Sequence, residues 1–458
     1  MKPSHLLLGT AFAITFATSS LVAAPGQITV CDKARNLDNP LMNGLNGWLF
    51  LGPEFLSNRF AYENQFAPFK RFNQALWSRG IKLVSIPIPN RTSVYTDGFD
   101  NNQPPQAKFN VETARAEYND SVTIFRNAGI TTVNVMEAMR EHAWTGDKER
   151  LFFIRDHHWT PTGAQVTAQA TAKEVKAWSD YYNTLPKVDY VSKASKTYPF
   201  LGTLPGQLED TCPGTKVPNE TAQGYITTRK SAGNLLGDEQ IDVALTGTSF
   251  SGPPWGQGKL DFNFTGFLQD GLRSNVSNYA LGGGGYDSSL ETYLLSEEYG
   301  KHKPKFLLYE FWFFPYGQEL SSFRRIVPSI YGACSGTNVL ANGPTVPLNT
   351  GKIRPVLFTP GTAKITGSSN YIFMRLSDPS VLKFDATLTY DDGKIETVPV
   401  ERNNRVKANG QYFLELNDKF TGHLLSVAIQ TKANTNSKVT ARMCRVPTPI
   451  SPVPIDTN

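Results

Sequence analysis

The sequence predicts an α/β domain with a mainly parallel sheet, followed by an all-β sandwich. Three observations carry that prediction. As far as Cys334, short apolar runs alternate with segments of helical period. Beyond it, helical periodicity disappears and strand-like runs take over. Between the two lies "CSGTNVLANGPTVPLNTG", a polar stretch rich in Gly, Pro and Asn that reads as a linker. With 458 residues, 40% hydrophobic and 19% charged, the composition is globular and leaves room for two or three cores.

The first residues, "MKPSHLLLGTAFAITFATSSLVAAPG", hold one Lys, an apolar run and small residues around Ala23 and Ala24. That is the pattern of a secretory signal peptide over residues 1–24. Its apolar run falls short of the ~20 residues a membrane span needs. Pro25 is a poor residue to follow a cleavage site, so the sequence does not fix the cut. "NGLNGWLFLGPEF" then reads as turns around a short apolar strand. "ENQFAPFKRFNQALWSRG" sets Phe66, Phe69, Phe72, Leu76 and Trp77 at helical spacing, with Gly80 as the stop. "IKLVSIPIP" reads as a buried strand, "VETARAEYNDSVTIFRNAG" as a helix and "ITTVNV" as a strand. "IDVALTG", "NVSNYAL" and "KFLLYEF" are further short strands. In such sheets, ligands sit beyond the carboxyl ends of the strands. Past the linker, "YIFMRLS", "LKFDATLTYDDGKIETVPV", "QYFLELN", "LLSVAIQTK" and "KVTARMCRV" read as strands, with Asp392-Gly393 as a hairpin turn.

The chemistry concentrates in "LFFIRDHHWTPTGAQVTAQATAKEV". Thr160-Pro161 is a helix start, with Thr as N-cap and Pro at the first helical position. Ala164, Ala168, Ala172, Val175 and Trp178 line one face of that helix. Asp156, His157 and His158 therefore sit on a loop after the apolar strand "LFFI". A metal site would need ligands converging on one point, but adjacent histidines usually point apart and no HExxH spacing is present, so no metal is expected. An Asp two residues before a His can instead accept from its Nδ1–H, leaving Nε2 to deprotonate a hydroxyl. That pairs Asp156 with His158. The matching hydroxyl is Ser249 in "IDVALTGTSFSG", on a tight turn at a strand's carboxyl end. The turn is not G-x-S-x-G, so the common α/β-hydrolase elbow does not apply.

Other candidates are less specific. Gly282 and Gly283 in "NYALGGGGYD" would allow close backbone approach for an oxyanion hole, but the run lacks the spacing of a phosphate loop, and no nucleotide or other cofactor is expected. Asn90 and Arg91 follow a strand end, where they could bind an oxyanion or a substrate carboxylate. Glu310 reads as a site residue or, preferably, as a buried partner of an arginine.

Charge and cysteines bound the setting. Of 45 Lys+Arg and 40 Asp+Glu, residues 335–458 hold 14 and 9, so the tail carries the whole excess and the remainder balances at 31 and 31. Arg402, Arg405 and Lys407 cluster there, which suggests an anionic partner. An anionic polysaccharide fits an exported protein; nucleic acid does not, and no nucleic-acid recognition fold is visible. Four cysteines without C-x-x-C spacing suggest two disulfides in an oxidising compartment, with three possible pairings. Division of the chain near Cys334 favours Cys31–Cys212 and Cys334–Cys444.

"DHHW" with "GTSFS", the motif "NGWLFL", the four cysteines and a C-terminal β-sandwich together resemble the AlgX family of periplasmic alginate O-acetyltransferases. The resemblance spans essentially the whole chain after the signal peptide. It implies an SGNH-hydrolase-like α/β/α domain over residues 25–334, permuted so that Asp-x-His precedes the Ser. It implies a β-sandwich carbohydrate-binding module over residues 335–458. Carried over by motif, Asp156 orients, His158 is the base and Ser249 takes an acetyl group destined for mannuronate hydroxyls. His157 occupies a variable position, and Phe250 stands where similar proteins often have Tyr. The partners implied are alginate or polymannuronate, an acetyl-donor protein and other periplasmic or outer-membrane components of an alginate secretion complex. Two other functions fit the same residues: a polysaccharide acetylesterase or deacetylase, and a non-catalytic alginate-binding protein that protects the polymer.

Overall fold

The computed structural model describes residues 28–56, 63–144, 149–230, 240–252, 262–285, 287–313, 322–349, 351–361, 364–432 and 435–447. The signal peptide expected over residues 1–24 lies outside them. Among the described residues, no helix is long and apolar enough to cross a membrane.

A five-stranded sheet organises the first part of the chain, in the order Thr131–Thr132, Lys82–Ile88, Phe306–Trp312, Val243–Thr246, Ser277–Asn278. Every pairing in it is parallel. Because side chains alternate along a strand, both faces must be covered. Val84, Ile86 and Ile88 face the helices Pro161–Ala177 and Phe264–Leu272, where Ala164, Ala168, Ala172 and Val175 form the expected stripe. Leu83, Leu307, Tyr309 and Phe311 face the helices Glu63–Trp77, Val111–Asn127 and Phe323–Ser329. Phe69 and Phe72 of the first of these are buried, each stabilising by about 2–3 kcal/mol on transfer from water.

Three strand expectations need correction, the first being "NVSNYAL", which pairs only at Ser277–Asn278. "ITTVNV" pairs only at Thr131–Thr132, because the Asn134 side chain accepts from Glu137 N–H and starts the helix Val135–Trp144. "LFFI" is not a strand. It folds back on the residues after it through a single Phe152–Trp159 bridge, with Thr160 N–H donating to Leu151 O at 2.9 Å. Sequence reading also missed an antiparallel pair, Tyr190–Phe200 with Glu220–Arg229, and the helix Thr203–Thr211 between them.

The tail is two antiparallel sheets enclosing their own apolar core. One has the order Val339–Asn342, Lys438–Arg445, Asn370–Leu376, Gln411–Glu415, with Val346–Pro347 also pairing Lys438–Arg445. The other runs Arg354–Phe358, Leu424–Thr431, Lys383–Tyr390, Ile395–Glu401. Gly393, at φ +80°, closes the Asp392-Gly393 hairpin. The disulfides are Cys31–Cys212 and Cys334–Cys444. The first ties the chain's start to the end of the helix Thr203–Thr211.

Arginines of the first part reach carboxylates of the second. Arg71 pairs with Glu415 at 3.0 Å, and Arg324 grips Glu396 with two nitrogens while donating to Glu415 O. Burial, opposed mainly by Arg71, pushes the Glu415 carboxyl up to about 7.

Candidate active site

Asp156, His158 and Ser249 converge, although the serine is far away in sequence. The Phe152–Trp159 bridge turns residues 153–158 into a tight loop with Asp156 and His158 at its tip. Asp156 Oδ1 accepts from the His158 backbone N–H at 3.0 Å and lies 2.5 Å from its ring Nδ1. His158 Nε2 lies 2.7 Å from Ser249 Oγ. Val243–Thr246 delivers Ser249 to the carboxyl end of the sheet, where Ser251 and Gly252 N–H both donate back to Thr248 O and tighten the turn. With Asp156 on Nδ1, the imidazole is held so that Nε2 can take the Ser249 proton.

Asp156 is held from its other oxygen too. Oδ2 accepts Leu204 N–H at 3.0 Å and also Thr203 N–H, so it caps the start of the helix Thr203–Thr211. Four unsatisfied N–H groups and a partial positive charge at such a terminus favour a carboxylate. Asp156 is completely buried. Burial alone would raise its pKa, but His158, then His157, and the hydrogen bonds hold it below the usual carboxylate range. Gly202 makes the approach possible. At φ +87° a Cβ there would lie 2.6 Å from Asp156 Oδ2.

The rest of the loop is gripped by residues whose expected roles change. Arg91, expected at an oxyanion or substrate carboxylate, is 1% exposed and unavailable to either. Its guanidinium pairs with Glu54 at 2.7 Å and donates to the carbonyls of Phe153 and Ile154 at 2.8 and 2.9 Å. Glu54 belongs to "NGWLFLGPEF", so that motif anchors the arginine that holds the Asp-His loop. Glu220 grips the same loop through the Ile154 and Arg155 N–H groups at 3.0 and 2.9 Å. Asn90 is buried beside Arg91, its side-chain oxygen without a partner among the described residues.

His157 does not point away from its neighbour. Its ring lies 4.0 Å from that of His158 and stacks on Trp312 at 4.8 Å. Burial, with His158 adding to it, pushes its pKa down to about 3, so it is neutral near pH 7. One ligand atom from each of Asp156, His157 and His158 falls within 4.8 Å of the others, a grouping that is singular among the described residues. Asp156 Oδ1 is already committed to His158, so an ion there would have to break that bond.

Gly282 is buried, and its N would lie 3.0 Å from a Cβ placed on Gly252, so it packs against the Ser249 turn. Gly283, at φ +66°, is exposed and its carbonyl meets Asn403 Nδ2 of the tail at 3.5 Å. Of the three basic residues proposed to hold polymer, Arg405 and Lys407 are exposed. Arg402 is not available. It is 4% exposed, lies over the Tyr412 ring at 3.7 Å and pairs with Glu291 of the first part at 3.5 Å. Among the described residues Glu310 has no arginine partner; it accepts Thr248 N–H and Oγ1–H, both at 2.8 Å.

A wholly parallel sheet with Ser, His and Asp gathered beyond its strand ends is the arrangement of an SGNH hydrolase-like domain. Comparison with known proteins agrees. Residues 41–313 match the family described as "SGNH hydrolase-like domain, acetyltransferase AlgX", and residues 333–452 match a C-terminal carbohydrate-binding module. The chain belongs to the AlgX family of alginate biosynthesis. It is 30% identical over 384 residues to the alginate biosynthesis protein AlgX of Pseudomonas aeruginosa, covering 82% of this chain and 77% of that protein. It is 31% identical over 292 residues to the probable alginate O-acetylase AlgJ of Pseudomonas putida, covering 61% of this chain and 71% of that protein. The solved structure of Pseudomonas aeruginosa AlgX superposes with a TM-score of 0.77 at 27% identity, over 91% of this chain and 100% of that one.

Proposed function

We propose that this protein is an O-acetyltransferase that moves acetyl groups onto mannuronate hydroxyls of alginate through an acetyl-Ser249 intermediate. The observation that supports it is the unbroken line Asp156–His158–Ser249, with Oγ 2.7 Å from Nε2. In the first half-reaction the Ser249 Oγ–H proton passes to His158 Nε2 as Oγ bonds to the acetyl carbonyl carbon. The donor's leaving oxygen then departs with that proton. In the second half, a sugar hydroxyl gives its proton to His158, attacks the acetyl-serine and expels Oγ, which recovers the proton. Splitting the transfer replaces one difficult step with two easier ones. Asp156 stabilises the imidazolium in each half without itself taking the proton.

Transfer rather than hydrolysis requires the sugar hydroxyl to be positioned better than water. We assign that task to the tail, taking residues 25–334 as the catalytic unit and 335–458 as the module that holds the polymer. The segment 401–410 supports this, since it carries Arg405 and Lys407 and reaches Gly283 through Asn403. An acetyl-donor protein and other components of an alginate secretion complex are the partners the family suggests. The periplasm is the setting that suits two disulfides and an N-terminal signal peptide.

The test uses an activated acetyl ester with mannuronate oligomers, comparing wild type with Ser249→Ala. Acetylated oligomer formed by wild type and lost in the variant supports transfer. Free acetate alone, lost in the variant, identifies an esterase instead. Equal behaviour of the two proteins overturns the role of Ser249, and oligomer binding without any turnover leaves a polymer-binding protein.

A further inference from the structure

The strand Phe306–Trp312 carries a fully buried carboxyl directly behind the nucleophile turn. Glu310 Oε2 accepts Thr248 N–H and Oε1 accepts Thr248 Oγ1–H, each at 2.8 Å. Thr248 Oγ1 is itself approached by Phe250 N–H at 3.4 Å. The hydrogen bonds thus run one way, from the turn into the carboxyl, and fill both of its oxygens with donors. An ionised carboxylate, which only accepts, suits that direction. Gly247 shows how closely the turn is pressed onto it, since a Cβ there would lie 2.4 Å from Glu310 Oε2.

No arginine or lysine pairs with Glu310 among the described residues, which is unusual for a buried acid. Its ionisable neighbour is His158. The groups around His158 are Asp156, His157 and Ser249, with Phe250 and Phe262 as the apolar walls, and Arg91 acts on His157. Asp156 is therefore not the sole carboxyl group in the field of the base.

We infer that Glu310 is a positioning residue for the acyl-transfer step: its carboxylate fixes the Gly247–Ser249 turn through Thr248 and adds a second negative charge that steadies the proton His158 takes from Ser249. Burial works against this and raises the carboxyl pKa; the Thr248 hydrogen bonds and the nearby His158 oppose it. The inference rests on the acetyl-Ser249 reading above. It gives a role to a residue that neither touches the reacting atoms nor fills an ordinary ion pair.

Two substitutions on the full chain test it, with a soluble acetyl ester as substrate. Glu310→Gln keeps the shape but aims an N–H₂ at donors and removes the charge. The expected result is a kcat lower by about 10- to 100-fold, with KM changed less than about twofold. The acid limb of the pH profile should move to lower pH, because the imidazolium loses a stabilising charge. Thr248→Val removes the hydroxyl link and leaves the charge, so kcat should fall while the acid limb stays in place. Wild-type kcat in both variants overturns the proposal. A kcat loss in Glu310→Gln without movement of the acid limb overturns the charge, and with it the proposal as stated. If Glu310→Gln fails to fold, judged by its melting curve, Thr248→Val decides alone: a lower kcat at unchanged KM supports positioning, and wild-type kcat refutes it. Ser249→Ala is run beside them. Activity surviving there sinks the acetyl-serine reading itself, whereas its loss there with wild-type behaviour in both variants sinks only the role of Glu310.

Discussion

Gly202→Ala is a single methyl group placed far in sequence from any reacting atom, and the structure predicts that it disables the site. The backbone there has φ +87° and ψ 175°, a region that essentially only glycine occupies, so the strain alone costs about 1–3 kcal/mol. The new Cβ would sit 2.6 Å from Asp156 Oδ2 and 2.8 Å from its Cβ and Cγ. To reach ordinary contact near 3.4 Å, the carboxylate must withdraw by about 0.8 Å. It cannot do so and keep Thr203 N–H, Leu204 N–H and His158 Nδ1 together, because all three converge on the same group. A displacement of that size in a catalytic array costs about 10²-fold in rate. Asp156→Ala, which removes the carboxylate, sets the limit at about 10⁴-fold. The assay is ester turnover, with a thermal melt on the same sample. Melting should fall by about 2–4 °C per kcal/mol of strain, while binding of mannuronate oligomers is kept. Wild-type turnover in Gly202→Ala would refute the argument that helix Thr203–Thr211 sets the position of Asp156.

Three further predictions follow from neighbouring features. Arg402→Ala should lower stability by about 1–3 kcal/mol, because it takes one of two arginines from the buried Glu291, which keeps Arg325 at 3.4 Å, and should leave the salt dependence of oligomer binding unchanged; a normal melt with weaker binding would assign Arg402 to polymer binding instead. Arg405→Ala with Lys407→Ala should weaken oligomer binding more at low salt than at high salt, and affinity indifferent to both charges and salt would remove the electrostatic argument. His157 has its pKa depressed in the fold, so the unfolded chain gains its proton first. Stability is then fully present above about 6.5 and is lost as pH falls toward about 3. His157→Phe, which keeps the stack on Trp312, should flatten that part of the stability-versus-pH curve; an identical slope in the two proteins would show that His157 takes up its proton equally in the folded and unfolded chain.

What the sequence made legible was what local spacing controls. Asp156 and His158 could be paired because the relation is two residues long, and Thr160-Pro161 marked a helix because capping is local. Alternating elements revealed the sheet, and the Gly/Pro/Asn-rich segment marked the change to all-β structure. The supports of the site were hidden because each depends on distant residues meeting. Nothing in "FLGTLPG" announces that Gly202 yields to Asp156, and Glu220 lies on a strand whose mixed polar pattern gave no strand signal. Arg91 and Arg402 were misread for one reason. A charged residue is usually solvated, and only the fold shows that Glu54 and Glu291 wait for these two inside. Glu310 is buried, but its partner is Thr248 of the Ser249 turn and not the expected arginine.

The disulfides have a consequence for assembly. Along the chain each cysteine is joined to the next one, Cys31 to Cys212 and then Cys334 to Cys444, so the two covalent loops follow one another without overlap or nesting. A polypeptide that emerges N terminus first meets each correct partner before any wrong one is available. Oxidation in order of appearance therefore yields the native pattern with no reshuffling, and the first loop can close around Asp156 and His158 before Ser249 has arrived. Alkylation trapping would reveal this: a chain oxidised while it is being synthesised forms both bonds natively without an isomerase, whereas the full-length reduced chain, with three pairings open to it, passes through non-native ones.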